Sequence, residues 1–299
     1  MDRGPRSIAL LLSCVVAFGS LGSAAPAVPL GQTEPPPDAL SAYRGLATWI
    51  DIYDKGPWKH PRVAVSKMAD RGVQTLFLET GNYRIKSRMF RPARIETFIE
   101  SAHEHGIEVV AWFVPSLKNL DRDLTRVRAA LDFVTAGGQS FDSFALDIEA
   151  TVERDIEQRN RNARRLSRRV RAAAGADYPL GAIIPEAGAL YWPGFPYSIV
   201  SEVFDVALPM AYFSYRTSGY AGVYDFIASN VAAVREGAGP GMPVHVIGGI
   251  AEDSLRREVR AMVKAAADAA TIGASLYDFP TTTRGQWEVL QDITGDGAS

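Results

Sequence analysis

The sequence is poor in cysteine and histidine, and this limits the chemistry open to it. Its only cysteine, Cys14, lies within the first 27 residues, and four histidines are scattered along 299 residues. Neither a disulfide framework nor a histidine-cysteine metal centre fits this pattern, so the sequence predicts no metal and no cofactor. Stability has to come from a hydrophobic core, for which 47% hydrophobic residues in a chain of this length are ample.

Strong net charge and long apolar runs beyond the N-terminus are also missing. The formal net charge is −2, which gives no reason to expect nucleic acid or an anionic membrane as partner. A basic run from Arg159 to Arg171 falls on a predicted helix, where a solvated outer face is expected. No apolar run after the N-terminal one is long enough to span a bilayer. We expect a monomer.

The N-terminus predicts export. Basic residues precede an apolar run that ends near Phe18, and Ala25-Pro26-Ala27 fits a small-x-small cleavage site. Residues 1–27 are therefore predicted to be a signal peptide of a secreted protein, and the proline-rich residues 28–42 a linker. A lipoprotein anchored through Cys14 is the alternative, because a loose lipobox precedes that cysteine.

The rest of the chain alternates short apolar segments with amphipathic ones. Strands are predicted at Gly45–Ile52, Thr75–Glu79, Glu108–Val114, Ser143–Ile148, Leu180–Ile184, Val206–Met210, Val244–Ile247 and Ala274–Tyr277. Helices are predicted between them, among others at Ala93–Glu104, Arg122–Thr135, Glu157–Ala174, Tyr224–Glu236 and Ser254–Thr271. Most strands are apolar throughout, as in a parallel sheet covered by helices.

This rhythm predicts an α/β fold with a single (β/α)8 TIM barrel over residues 43–290 and a flexible tail over residues 291–299. A doubly wound sheet is the rival fold. It would place a glycine-rich phosphate turn after the first strand, and Tyr53-Asp54-Lys55-Gly56-Pro57-Trp58 is not such a turn.

The fourth predicted strand ends in two acids, Asp147 and Glu149. Side chains two positions apart on a strand share a face, so both should point the same way. Two neighbouring acids push their pKa values apart, which acid-catalysed sugar chemistry requires. The motif alone fits equally well a structural role, in which Asp147 caps the next helix and Glu149 lies in its first turn.

Acids and aromatic residues recur at the predicted strand ends, where barrels place their functional side chains. Carboxylates hydrogen-bond sugar hydroxyls and flat rings stack on sugar faces. We therefore predict Glu149 as the catalytic acid, assisted by Asp147, with Glu79 or Asp278 as nucleophile or base. The predicted catalytic set is Glu149, Asp147 and Glu79, and the predicted substrate-binding set is Asp51, Trp112, Tyr212, Asp278, Trp192 and Arg216. For Trp192, packing of its loop against the barrel is the competing interpretation.

Two segments resemble a known family. Asp142-Ser143-Phe144-Ala145-Leu146-Asp147-Ile148-Glu149 is similar to the Asp-x-x-Asp-x-Asp-x-Glu motif on strand 4 of glycoside hydrolase family 18, the chitinase-like barrels. Met210-Ala211-Tyr212 resembles the Met-x-Tyr of strand 6 in that family. The acid pair is also similar to strand-end acids of the family 25 lysozymes. Residues 43–283 resemble secreted actinobacterial glycoside hydrolase-like proteins.

The resemblance implies roles for three residues. Glu149 would protonate the glycosidic oxygen, Asp147 would orient a substrate N-acetyl group, and Tyr212 would hydrogen-bond that group. The chain departs from the family pattern at several positions, namely Ser143 for Gly, Ala145 for the middle Asp, Phe213 for Asp, and Tyr277-Asp278 for the strand-8 Trp.

The predicted function is a secreted glycoside hydrolase-like protein that cleaves a polysaccharide or a peptidoglycan-like glycan. The alternative is a catalytically silent barrel that binds glycan or a cell-wall component. Retention of Glu149 favours activity, whereas Ala145 removes a motif acid and favours the silent barrel.

Overall fold

A computed structural model describes residues 39–293. The predicted signal peptide, residues 28–38 of the predicted linker and residues 294–299 of the predicted tail lie outside this range. The strands are β1 (Gly45–Ile50), β2 (Thr75–Asn82), β3 (Glu108–Val114), β4 (Ser143–Asp147), β5 (Leu180–Ile184), β6 (Val206–Pro209), β7 (His245–Ile250) and β8 (Gly273–Tyr277). The α-helices are α1 (Lys55–Lys59), α2 (Pro61–Ala69), α3 (Pro92–Glu104), α4 (Leu120–Leu131), α5 (Ile156–Ala174), α6 (Ser198–Val203), α7 (Tyr220–Ala238), α8 (Arg256–Asp268) and α9 (Arg284–Leu290).

The eight strands form one parallel sheet that closes on itself. Their order is β6-β5-β4-β3-β2-β1-β8-β7. Between β6 and β7, parallel bridges join Ala207 to Val244 and Met210 to Ile247, which brings the two ends of the sheet together. The predicted single (β/α)8 barrel is confirmed.

Strands in this barrel are apolar throughout because both of their faces are buried. In β1, Leu46 and Ile50 pack in the layer between strands and helices, while Ala47 and Trp49 point into the barrel. The Trp49 ring stacks on Phe77 with centroids 4.1 Å apart. Burying a side chain of this size stabilises the fold by roughly 1.5–3 kcal/mol, so the interior rings contribute strongly to the core.

Local signals fix where several helices begin. Proline occupies the first turn of α2 and α3, where its missing N–H costs no helix hydrogen bond. The Asn119 side chain accepts from the Arg122 N–H over 3.1 Å and caps α4. This cap starts α4 at Leu120, two residues before the predicted start.

The folded body begins before residue 43, inside the predicted linker. Ser41–Tyr43 form a 3-10 turn in which Ala42 and Tyr43 are buried. The Tyr43 hydroxyl shares a 2.5 Å hydrogen bond with Ser143 Oγ and donates to the Phe144 carbonyl oxygen over 3.1 Å. Within residues 39–293, no helix is both long enough and apolar enough to cross a membrane.

Candidate active site at the carboxyl end of the barrel

A cavity of about 540 Å³ opens where the strands end. Most of the predicted site residues line it, namely Asp51, Glu79, Trp112, Asp147, Glu149 and Tyr212. They come from β1, β2, β3, β4 and β6 or from the residues that directly follow them. The parallel barrel brings together side chains that are far apart in sequence.

Asp147 and Glu149 share the cavity, as their spacing predicts. Asp147 is the last residue of β4, and Ile148 between the two acids points away into the layer beneath the helices. The structure does not use Asp147 as a helix cap. The cap of α5 is Asp155, whose side chain accepts from the Gln158 N–H over 2.9 Å.

Both acids are held in surroundings that favour their protonated forms. Asp147 is only 5% exposed, and its Oδ1 has no hydrogen-bond partner among the described residues. Burial, followed by the charges of Glu149 and Glu79, raises the pKa of Asp147 well above its usual range. Burial also raises the pKa of Glu149, and the positive charge of Arg84 opposes that rise. Each acid therefore retains its proton to a higher pH than an exposed carboxyl group.

Glu79 is a third buried acid in the cavity, and two protein donors hold it. Its Oε2 accepts from the Ile52 N–H over 2.9 Å, and its Oε1 accepts from the Asn82 side-chain amide over 3.0 Å. Both bonds favour the ionised form, yet burial outweighs them and raises the pKa of Glu79 to about 7.

A backbone irregularity brings Asn82 to Glu79. Residues three apart on a regular strand lie on opposite faces. The pairing of β2 with β3 shifts register between Glu79 and Gly81, and this extra residue turns Asn82 onto the face of Glu79. Gly81 has φ +154°, a backbone conformation that residues with a Cβ rarely adopt, so this position favours glycine.

Asp51 lies on the β1 and β8 side of the cavity in a second acidic group. Its Oδ2 accepts from the Tyr277 hydroxyl over 2.5 Å, and its N–H donates to Asp54 Oδ2 over 2.9 Å. Burial, then the charges of Asp51 and Asp278, raises the pKa of Asp54 to about 8. Carboxylate oxygens of Asp51, Asp54 and Asp278 lie within 4.8 Å of one another, and each carboxylate already accepts a hydrogen bond from a protein donor.

Aromatic side chains form the floor and the rim of the cavity. Trp112 is 5% exposed, and its indole Nε1–H has no hydrogen-bond partner in the described part of the chain. Tyr53, Tyr191 and Tyr215 stand at the rim and are 61%, 40% and 62% exposed. Tyr212 forms part of the wall and meets the Tyr215 ring edge-on at 6.3 Å. The cavity thus combines buried acids with flat apolar faces.

Trp192, which we predicted to bind substrate, belongs to the hydrophobic core. It is 1% exposed and does not line the cavity. Its indole N–H donates to Asn160 Oδ1 over 2.7 Å, and the Arg159 guanidinium lies 4.8 Å from its ring centroid. The competing interpretation, packing of the loop, therefore describes its position. Arg159 is itself buried, unlike the solvated outer face expected of the basic run.

Arg216 and Asp278, the other two predicted residues outside the cavity lining, are held by neighbours. Arg216 Nε donates to Glu186 Oε1 over 2.6 Å, which forms an ion pair at the rim. Asp278 Oδ1 accepts from the Thr281 hydroxyl over 2.6 Å. Neither side chain is among those that line the cavity.

Two lining residues, Asn82 and Arg84, were missed by the sequence reasoning. Arg84 is the sole cationic side chain in the lining, and its guanidinium lies 5.3 Å from the Tyr83 ring centroid. Both residues follow Glu79 within five positions, at the carboxyl end of a predicted strand. Their position directly after a predicted strand is the sequence signal that could have placed them at the cavity.

The barrel is similar to many solved structures. The endo-1,4-beta-mannanase of Rhizomucor miehei matches with a TM-score of 0.62 and 10% identity, over 83% of this chain and 95% of the mannanase. A family 18 chitinase of Cycas revoluta, in complex with (GlcNAc)3, matches with a TM-score of 0.59 and 11% identity, over 83% and 99% of the two chains. The spore cortex-lytic enzyme SleL of Bacillus cereus matches with a TM-score of 0.58 and 10% identity, over 84% and 74%.

These likenesses establish the fold class, a (β/α)8 barrel shared with glycoside hydrolases. No protein-family model matches the chain, and no curated protein sequence does.

Proposed function

We propose that this protein is a glycoside hydrolase that cleaves glycosidic bonds in a polysaccharide. The observation that carries the proposal is the joint presence of Glu149, Asp147 and Glu79 in one cavity, each with a pKa raised by burial. A general acid must hold a proton near neutral pH, and burial among other acids provides this. The structural neighbours named as mannanase, chitinase and cortex-lytic enzyme support the same reaction class.

Glu149 is the proposed general acid, which protonates the leaving glycosidic oxygen. Glu79 is the proposed second carboxylate, as nucleophile or as base for water, because the Ile52 N–H and the Asn82 amide fix its orientation. A retaining enzyme holds its two carboxyl groups about 5–5.5 Å apart and an inverting one about 6.5–9.5 Å apart. Asp147 is the proposed partner of Glu149, and the charge of Glu149 helps Asp147 to retain its own proton.

Trp112 and Tyr212 are the proposed sugar contacts in the interior, and Asp51 a proposed hydroxyl acceptor at the edge. All three line the cavity. Trp112 supplies a flat ring to the lining, which suits the apolar face of a sugar ring. We further propose export through the signal peptide 1–27 and a monomeric state.

The test compares Glu149→Gln with Glu157→Gln, a matched change on the exposed first turn of α5. Reducing ends released from a broad polysaccharide panel are measured for both variants and the wild type. Glu149→Gln should lose turnover by about 10²–10⁴-fold with glycan binding retained, since a general acid supplies that factor. Glu157→Gln should match the wild type. If the wild type releases no reducing ends from the panel, the hydrolase proposal fails.

A second candidate is a barrel that binds glycan without cleaving it. The observation that favours it is Ala145, a buried residue where the resembling motif has an acid. Binding by the wild type without turnover, and equal binding by Glu149→Gln, would identify this function.

A further inference from the structure

The cavity lining is unbalanced in charge. Four acids line it, namely Asp51, Glu79, Asp147 and Glu149, and Arg84 is the only cation among its lining residues. Arg84 does not offset them fully, because its side chain is exposed and its Nε donates to the Tyr83 hydroxyl over 3.1 Å. When these acids ionise, the lining therefore supplies one exposed cation to balance them.

Among the described residues, the side chain of Asp147 is an unpartnered acid at the same cavity. Asp147 lines the cavity and is only 5% exposed. Its Oδ1 has no hydrogen-bond partner in the described residues. A buried carboxylate oxygen that lacks a donor is costly, and a charged donor satisfies it best. A protonated amine brings a positive charge and three N–H donors in one small group.

We propose that the cavity selects a glycan with a free, protonated amino group, which binds between Asp147 and Glu79. The inference rests on the proposed function and names the substrate class for the same site. An amino sugar would place its ammonium against the buried acids and its ring against Trp112 and the rim tyrosines.

Binding of such a cation is coupled to proton release. The charged and titratable groups around Asp147 are Glu149 beyond the same strand, Glu79 and Arg84 from the β2 side, Tyr191 after β5 and Tyr212 after β6. Burial, with neighbouring acids, raises the pKa of Glu79 to about 7 and that of Asp147 well above its usual range, so both acids hold protons to a higher pH than exposed carboxyl groups do. An ammonium favours the ionised acids, and the displaced protons leave to solvent.

The test uses three β-1,4 oligosaccharides of equal length that differ only at C2. Glucosamine oligomers carry an ammonium, glucose oligomers a hydroxyl, and N-acetylglucosamine oligomers an acetamide. Calorimetry with the full chain at pH 5.5, where the glucosamine amines are protonated before binding, in two buffers of different ionisation enthalpy, gives affinity and the number of protons released. The amino form should bind between about tenfold and a hundredfold more tightly than the other two, with proton release.

Asp147→Asn should abolish both the preference and most of the proton release, and Glu157→Gln should leave both intact. Equal or tighter binding of the hydroxyl or acetamide oligomers overturns the inference, as does the absence of binding by all three. Cleavage of neutral polysaccharides would then leave the hydrolase proposal standing. Preferential binding of the amino oligomers without release of reducing ends from any polysaccharide would instead retain the inference and remove the hydrolase.

Discussion

The side-chain amide of Asn82 donates a hydrogen bond to Oε1 of Glu79 over 3.0 Å, across the register shift in β2. The Ile52 N–H holds the other carboxylate oxygen at 2.9 Å. These two bonds orient the carboxylate but do not offset its burial, so the pKa of Glu79 stays near 7. A buried acid that titrates near neutral pH in a fixed orientation is suited to exchange a proton during catalysis.

Removing the Asn82 amide should raise the pKa of Glu79 further. The amide hydrogen bond favours the ionised carboxylate, and Asn82→Ala leaves burial as the dominant influence. Titration of the 13C-labelled glutamate carboxyls by NMR measures this directly. Asn119→Ala, which removes the cap of α4 instead, should leave the Glu79 titration unchanged. An unchanged or lower pKa in Asn82→Ala would show that the hydrogen bond does not act on the charge of Glu79.

Removing the charge of Arg84 should move the pH profile of the proposed hydrolase. Arg84 lowers the pKa of Glu149, so Arg84→Gln should raise it. The acid then keeps its proton to higher pH, and the alkaline limb of the kcat profile moves upward in pH. Arg88→Gln, on the same loop but outside the cavity lining, is the control and should leave the limb in place. A downward move in Arg84→Gln would exclude this role for the charge.

Most of the fold could be predicted from the sequence, because parallel strands that are covered by helices are apolar on both faces. The predicted first and last residues of β3 and β5 are those of the structure, and the predicted end of β4 is one residue too late. The shared face of Asp147 and Glu149 followed from strand geometry alone. These features depend on local pattern, which a sequence displays directly.

The parts of the site that escaped prediction depend on tertiary contacts. Asn82 reaches Glu79 only through a register shift, and alternation of side chains places it on the wrong face. Trp192 in a loop has the same sequence pattern whether it stacks on a ligand or packs inside. Its burial comes from Asn160 and Arg159 on α5, about thirty residues away, so no local signal could separate the two roles.

Asp147→Asn should be more stable than the wild type, and the difference in the free energy of unfolding should grow as pH rises. The pKa of Asp147 is raised in the folded state, so the folded protein binds the proton more tightly than the unfolded chain. Wild-type stability therefore falls as pH rises above the ordinary aspartate pKa of 3.8. The variant has no ionisable group at this position and escapes this loss, so its stability relative to the wild type should increase towards neutral pH.

Urea unfolding of Asp147→Asn and wild type between pH 4 and pH 8 measures the gain. The two free energies of unfolding should converge at the acid end and separate towards the alkaline end. A variant that is less stable than the wild type at every pH would mean that Asp147 is satisfied in the folded protein.

His245 should give stability the opposite pH dependence. Its Nδ1–H donates to the Tyr43 carbonyl over 2.8 Å, and its Nε2 accepts from Ser275 Oγ over 3.0 Å. Burial lowers the pKa of His245 from 6.5 to about 4, so the unfolded chain takes up the proton first. As pH falls from 6.5 towards 4, this residue should cost the fold about 3 kcal/mol.

The cavity acids have raised pKa values, so their contribution to stability increases as pH falls, opposite to that of His245. Subtracting the stability curve of His245→Gln from that of the wild type therefore isolates the His245 contribution. The stability of His245→Gln should lack the loss between pH 6.5 and pH 4, although its stability is lower at neutral pH because hydrogen bonds are lost. Parallel curves for the variant and the wild type would show that His245 accepts a proton in the folded state.

Trp112 and Trp192, both buried, should respond differently to the same substitution. Trp112→Phe removes an N–H without a partner among the described residues, which offsets part of the packing lost with the smaller ring, so stability should fall less than in Trp192→Phe. Its ligand affinity should fall about fivefold to tenfold, because the flat face offered to the sugar is smaller. Trp192→Phe removes a hydrogen bond to Asn160 and leaves a cavity in the core, so stability should fall by at least about 2 kcal/mol with ligand affinity unchanged. Denaturant unfolding and calorimetry with the oligosaccharide that the wild type binds most tightly give both quantities. If Trp112→Phe binds as well as the wild type, the Trp112 ring does not contact the ligand, and the proposed sugar contact at this residue is wrong.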